Sequence, residues 1–297
     1  MPKGAGRTPS PSSVEAGGVT GVAVPAPAKL NLFLHVTARR TDGYHLLETV
    51  FRFIDCADTL HLRVRDDARI ERLNALPGVA PEEDLCVRAA RLLQAEAGVR
   101  RGAQIALDKR IPMGGGLGGG SSDAATVLVA LNRLWEVNWS RGRLQDLALR
   151  LGADVPVFVF GRTAFASGIG ERLVRIDLPP AWYLVLVPPV AVPTASVFAD
   201  PELTRNSDPI KIQCFSAGPG RNDLEAVVCR QYPEVARHLA WLRERAPAGV
   251  TGSGGCVFAA FASEAEALRV HGALPTGIRG FVARGLDRHP LLDWVQD

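Results

Sequence analysis

The residue types most suited to chemistry are concentrated between Pro112 and Ala125, in PMGGGLGGGSSDAA. Six of the seven residues from Gly114 to Gly120 are glycine, interrupted by Leu117. Ser121, Ser122 and Asp123 follow, and then an apolar run, Ala124 to Trp135, that predicts a helix. Glycine loses more conformational freedom on folding than any other residue. A turn that orders six of them implies that something approaches the backbone closely. Free N–H groups at the start of a helix carry about half a positive charge, so that something is an anion, and a phosphate fits best. A flexible linker is the bland alternative, but a strand-like run, Ala103 to Leu107, and the helix bracket the tract.

Three phosphate loops compete for this pattern. The P-loop needs a lysine after its last glycine, and Gly120 is followed by Ser121-Ser122. The dinucleotide fingerprint GxGxxG is met formally by Gly114, Gly116 and Gly119. It also wants an acid about twenty residues on, leaving an apolar strand, whereas Glu136 follows a helix end. Protein-kinase loops come with HRD and DFG signatures, which this chain lacks.

Other elements must hold whatever acts on that phosphate. Val22 to Pro27 reads as a strand ending at prolines, and Ala28 to Val36 as an alternating strand that carries Lys29 and Asn31. A polar turn, Arg39 to Gly43, leads into Tyr44 and His45. Thr49 to Ile54 and Thr59 to Val64 predict further strands. Asp84 to Ala97 has helical spacing and stops at Gly98; Ser140 to Leu151 predicts a second helix, capped by Ser140 and stopped by Gly152. Asp154, two residues before Pro156, reads on spacing alone as a turn or helix cap. Pro179-Pro180 and a fresh strand, Trp182 to Val187, place a junction near residue 180. Helices follow around Asp223 to Arg230 and Pro233 to Arg245. A second glycine loop, Thr251-Gly252-Ser253-Gly254-Gly255, leads into a strand from Cys256 to Phe261. The expected division is a disordered tail over 1–21 and domains over 22–180 and 181–297.

Composition narrows the function. A net charge of +3 over 297 residues, with no basic run interleaved with aromatics, argues against nucleic acid. Apolar runs too short or too broken by proline to cross a bilayer argue for a soluble protein. Five scattered cysteines without a CxxC pair fit reduced thiols in a cytoplasm, and no histidine pair suggests a protein metal cage. Of 34 basic residues four are lysine: Lys3, Lys29, Lys109 and Lys211. Lys29 and Lys109 are therefore candidates for places that need a compact ammonium.

PMGGGLGGGSSDAA resembles the central motif of the GHMP kinases. PAKLNLFLHV (Pro27 to Val36) and GVTGSGGCVFAAF (Gly249 to Phe261) resemble that family's N- and C-terminal motifs. The turn Thr41 to His45, GADVPVF (Gly152 to Phe158) and VFADPEL (Val197 to Leu203) narrow the likeness. They resemble the branch that phosphorylates the 2-hydroxyl of a cytidine diphosphate-linked methylerythritol in non-mevalonate isoprenoid synthesis. The resemblance implies an α+β, two-domain GHMP kinase fold, its N-terminal domain ribosomal-S5-domain-2-like and its C-terminal domain ferredoxin-like. It implies a cytoplasmic enzyme, monomer or homodimer, that uses ATP with Mg²⁺ carried by the nucleotide. Lys109 and the loop Pro112-Met113-Gly114-Gly115-Gly116-Leu117-Gly118-Gly119-Gly120-Ser121-Ser122 would bind ATP, the two serines also serving as helix caps. Asp154 would be the base and Lys29 its partner, holding the carboxylate ionised. Tyr44 and Phe198 would sandwich cytosine and His45 would read its edge, while Asn31, Thr251, Gly252 and Ser253 would complete the acceptor site.

Overall fold

Two 21-residue strands run through the computed structural model, which describes residues 12–16, 19–210 and 217–297. The first strand, β1 (Ser12–Ala16), pairs antiparallel with β2 (Val19–Arg39). A strand therefore lies within the stretch expected to be a disordered tail; residues 1–11 and 17–18, like Lys211 and Cys214, lie outside the described residues. β2 pairs along its length with β3 (His45–Arg65). The sequence pattern predicts four strands here, broken at prolines, yet Pro25 and Pro27 lie inside β2. The chain answers them with a register shift between Pro27 and Ala28 rather than a break. From Val24 to Val36 every residue of β2 is buried. Both faces of the strand are covered, and the tertiary packing overrides the local breaker.

β3 shares its second edge among three partners. β6 (Ala164–Ser167) takes its start, β11 (Arg279–Leu286) its middle and β5 (Gly102–Asp108) its end. β4 (Ile70–Arg72) pairs parallel with β5, and β7 (Arg172–Arg175) antiparallel with β6. β11 continues into β8 (Trp182–Val187), β10 (Val257–Phe261) and β9 (Ala248–Val250).

Helices α1 (Leu85–Ala97), α2 (Gly119–Leu134), α3 (Arg141–Leu149) and α4 (Val155–Phe160) pack with β2, β3, β5 and β6 around one apolar core. α1 begins and ends as its sequence predicts. The Asp84 carboxylate accepts from the Cys86 N–H at 2.8 Å, and Gly98 closes it in the left-handed region. α3 is shorter than predicted: it ends at Leu149, ahead of Gly152, and Ser140 occupies the cap position without a side-chain bond. α5 (Thr194–Ala199), α6 (Glu225–Gln231), α7 (Pro233–Arg243) and α8 (Glu264–Gly272) belong to the second half, where α6 and α7 contribute to a core of their own.

The C-terminal turn, Leu292–Trp294, folds back on α3. Arg141, almost buried, donates to the carbonyls of Val159, Leu292 and Val295 at 2.8–2.9 Å and pairs with the Asp297 side chain. This clasp fixes the far end of α4, whose near end carries Asp154.

Candidate active site

Lys29 stands on β2 with its side chain 2% exposed. Its ammonium donates to Asn31 Oδ1 and, at 3.0 Å, to the Gly116 carbonyl, and it lies 3.2 Å from Asp154 Oδ2. The Phe51 ring adds its face at 5.5 Å. Asp154 occupies the cap position of α4 but makes no capping bond, and its carboxylate is 41% exposed. A buried amine thus meets a carboxylate still reachable by a ligand, across 125 residues of chain.

The glycine tract folds over that amine. The Lys29 N–H donates to the Leu117 carbonyl at 3.0 Å, and Gly118, left-handed, serves as the cap of α2. Much of the glycine content is spent on packing one loop against the other. The Cys256 N–H donates to the Gly115 carbonyl at 2.9 Å, and a Cβ on Gly116 would overlap the Thr251 carbonyl oxygen. Gly255 sits equally close to Gly114.

Cavities open on both sides of the tract. One, about 750 Å³, is lined by Lys29, Asp154, Ser121, Gly252 and Ser253, and by Tyr44, His45 and Phe198. The other, about 290 Å³, is lined by Lys109, Asp123, Leu85 and the whole run from Pro112 to Gly120. Gly114, Gly116 and Gly118 face both. A ligand pair could therefore meet at the tract, one from each side, with the amine and carboxylate on the side of the larger cavity.

Known proteins place this arrangement in a family. Residues 84–162 match the GHMP kinases N terminal domain and residues 207–278 the GHMP kinases C terminal domain. A 4-diphosphocytidyl-2-C-methyl-D-erythritol kinase of Thiobacillus denitrificans is 67% identical over 93% of this chain and 99% of its own. One of Nitrosospira multiformis is 62% identical over 96% and 98%. The chain belongs to the 4-diphosphocytidyl-2-C-methyl-D-erythritol kinases, a branch of the GHMP kinases. A crystal structure of 4-(cytidine 5'-diphospho)-2C-methyl-D-erythritol kinase superposes with a TM-score of 0.77 at 36% identity, covering 89% of this chain and 98% of that one. A mevalonate kinase, at 14% identity and TM-score 0.64, shares the fold. The two-domain α+β fold and ATP-dependent kinase activity follow from this membership.

Several residues of the kinase sit otherwise than expected. Ser122 is fully buried and donates to the Pro27 carbonyl at 2.7 Å, so its hydroxyl ties α2 to β2 and is withdrawn from the phosphates. Neither serine caps α2, because both lie inside the helix. Thr251 is fully buried, and its hydroxyl accepts from the Asn31 N–H at 2.9 Å instead of facing a ligand. Asn31 is 3% exposed: its amide donates to Thr49 at 2.9 Å, and Thr49 in turn donates to the Phe33 carbonyl. Asn31 therefore holds Lys29 rather than offering free hydrogen bonds. Ser253 bonds Thr194 at 2.7 Å at the cavity wall. Leu117 is a core residue, whereas Met113 is exposed.

Lys109 is bound twice, to Asp58 and, at 3.0 Å, to Asp123. Asp58 also accepts the Arg110 and Ile111 N–H groups at 2.6 and 2.9 Å, anchoring the entry to the glycine tract. Neither acid has a role in the sequence reading, although Asp123 lies inside the quoted motif. Burial pushes the Asp123 carboxyl up to about 7, the nearby Asp58 charge adding to the rise and Lys109 only partly offsetting it. The folded value lies above the unfolded one of about 3.9, so the folded state keeps a proton that the unfolded chain loses between pH ~4 and ~7. Stability falls as pH rises through that window. Asp123→Asn keeps an acceptor for Lys109 and removes the titration. By scanning calorimetry its Tm should gain on the parent between pH 5 and pH 8, by about 2–4 °C for each kcal/mol recovered. An equal Tm difference at both pH values would clear Asp123 of this role.

His45 packs against Phe198, ring centroids 5.0 Å apart, and Arg205 donates to its Nε2 at 3.1 Å. Burial, then the charges of Arg205 and Arg39, lower its pKa. The ring is neutral with its proton on Nδ1. Arg205 carries no local signal in the sequence, being one arginine among thirty.

Proposed function

We propose that this kinase transfers the γ-phosphoryl group of ATP to the 2-hydroxyl of 4-diphosphocytidyl-2-C-methyl-D-erythritol, giving ADP and the 2-phosphate, in the cytoplasmic non-mevalonate route to isoprenoids. The observation that carries the proposal is the 3.2 Å pair of Lys29 and Asp154 in the wall of the larger cavity, beside the glycines that face both cavities. ATP lies on the Lys109 side, its phosphates along the N–H groups of the tract and the start of α2. The acceptor lies in the larger cavity. Its hydroxyl proton passes to the Asp154 carboxylate as its oxygen bonds to the γ-phosphorus and ADP leaves. The Lys29 ammonium, fixed by Asn31 and Gly116, offsets negative charge on the hydroxyl oxygen and on the transferred group. Among the described residues no group of three or more acidic, histidine or cysteine side chains is placed to hold a metal. Mg²⁺ would then be held by triphosphate oxygens and water, with the Ser121 hydroxyl at hand, and would supply charge neutralisation.

Tyr44 and Phe198 flank the entrance for the cytosine ring, and neutral His45 offers Nδ1–H to an acceptor on its edge. Because stacking one base is worth about 1–3 kcal/mol, Phe198→Ala should raise KM for the cytidylylated substrate on the order of 10–100-fold and leave KM for ATP unchanged. A coupled ADP-release assay tests the proposal as a whole. Turnover should be strong with 4-diphosphocytidyl-2-C-methyl-D-erythritol and weak with homoserine or mevalonate. Preference for either of the latter would overturn the substrate assignment. No helix among the described residues is long and apolar enough to cross a membrane.

A further inference from the structure

The larger cavity is braced by a residue that does not line it. Arg205 follows α5 in the chain, and its Nε donates to His45 Nε2 at 3.1 Å across 160 residues of sequence. Its Nη2 donates to the carbonyls of Phe198 and Asp200 at 3.0 and 2.7 Å, and its Nη1 to that of Leu203 at 3.0 Å. One guanidinium thus joins the start of β3 to the end of α5, and with them two cavity residues, His45 and Phe198. The segment is held from elsewhere too. The Asp200 carboxylate pairs with Arg230 at 2.7 Å and accepts from Gln231 at 2.6 Å.

The bond to His45 has a chemical consequence beyond bracing. A guanidinium only donates, and it keeps its protons at any physiological pH. Nε2 must therefore accept, which leaves the proton of the neutral ring on Nδ1. Burial and the charges of Arg205 and Arg39 keep the ring from taking a second proton. With Nε2 occupied, Nδ1–H is the polar group that His45 has left for the cavity it lines. The two pyrimidines differ in what they show such a donor: N3 of cytosine is an acceptor, whereas N3 of uracil carries a hydrogen. A ring free to shift its proton to Nε2 would suit uracil as well, by turning Nδ1 into an acceptor.

We propose that Arg205 is a positioning residue that makes the kinase choose cytosine over uracil, by holding His45 as its Nδ1–H tautomer and tying it to the Phe198 wall; the inference rests on the cytidylylated substrate proposed above. Arg205 touches no part of the substrate. It acts through a ring whose proton it fixes and a backbone whose place it sets. Uracil would then meet two facing donors, and a polar group left unpaired in a closed slot is what rejects a near-isostere strongly.

Turnover with ATP is compared for 4-diphosphocytidyl-2-C-methyl-D-erythritol and its uridine counterpart. The parent should favour the cytidine compound in kcat/KM by at least ~10². Arg205→Met should cut that preference by about tenfold or more and leave KM for ATP unchanged. A merely structural role would slow both substrates alike, so a preference of the same size in parent and variant would overturn the assignment. Nitrogen NMR of the parent's histidine rings reads the tautomer without any variant, and a His45 proton on Nε2 would equally overturn it. Failure of the parent to turn over the cytidine compound would instead overturn the substrate, with the tautomer still deciding whether Arg205 holds the ring.

Discussion

Asp154→Asn should lower kcat by at least ~10² while KM for ATP stays within a few-fold of the parent. The asparagine has the shape of the carboxylate but takes no proton from the acceptor hydroxyl. The loss therefore falls on the chemical step. Because Lys29 is buried, removing the carboxylate's charge leaves its ammonium without an ionic partner, so a loss of stability accompanies the loss of rate. Lys29→Met should lower kcat comparably, and it should also destabilise, because it strips Asn31 Oδ1 and the Gly116 carbonyl of their donor. The double variant should be hardly slower than the worse single one, since the two groups act as a unit. Near-normal turnover by Asp154→Asn would remove it from the role of base. Fully multiplicative losses in the double variant would mean that the two side chains work independently.

Gly116→Ala carries the second large effect, this one on both stability and activity. Gly116 has φ +75°, where an L side chain costs about 1–3 kcal/mol, and its Cβ would press on the Thr251 carbonyl. The second glycine loop must then retreat, and the carbonyl that accepts from Lys29 moves with it. A fall of at least ~10-fold in kcat/KM for ATP is expected, with a Tm drop of several degrees. Gly142→Ala is the matching control. It lies in α3 with nothing near a new Cβ, and alanine there should stabilise by about 0.5–1 kcal/mol. If the two variants behaved alike, contact between the loops would not be what demands glycine at 116.

The glycine tract was legible because its chemistry is local: backbone N–H groups, a helix start and a run of a single residue type. The strands β8 and β10 and the helix α1 were legible for the same reason, their signals lying within a dozen residues. Lys29 with Asp154 was not. Spacing alone makes Asp154 a cap, and only the likeness to a family joined it to a lysine 125 residues earlier. Phe198 would pass for core in any periodicity argument, since an aromatic beside a cavity and one inside a core have the same neighbours in sequence. Ser122 and Thr251 show the opposite error. Hydroxyls beside glycines look available for ligands, yet both are turned inward, one joining α2 to β2 and the other joining the second glycine loop to β2. Asp58, fully buried in a strand, acquires meaning only once Lys109 is seen to reach it.

The unbroken length of β3 sets how this enzyme can open and close. Hinges form where few hydrogen bonds cross, and here the Ile54–Gly285 and Phe53–Leu286 pairings join β11 to the same strand that meets β2, β5 and β6. A clam-like swing of one half against the other would have to shear that seam. Admission of substrate and escape of product therefore fall to the short segments at the rim, the turn before Tyr44 and the stretch around α5. A covalent staple across the seam should leave the catalytic cycle running at its usual pace.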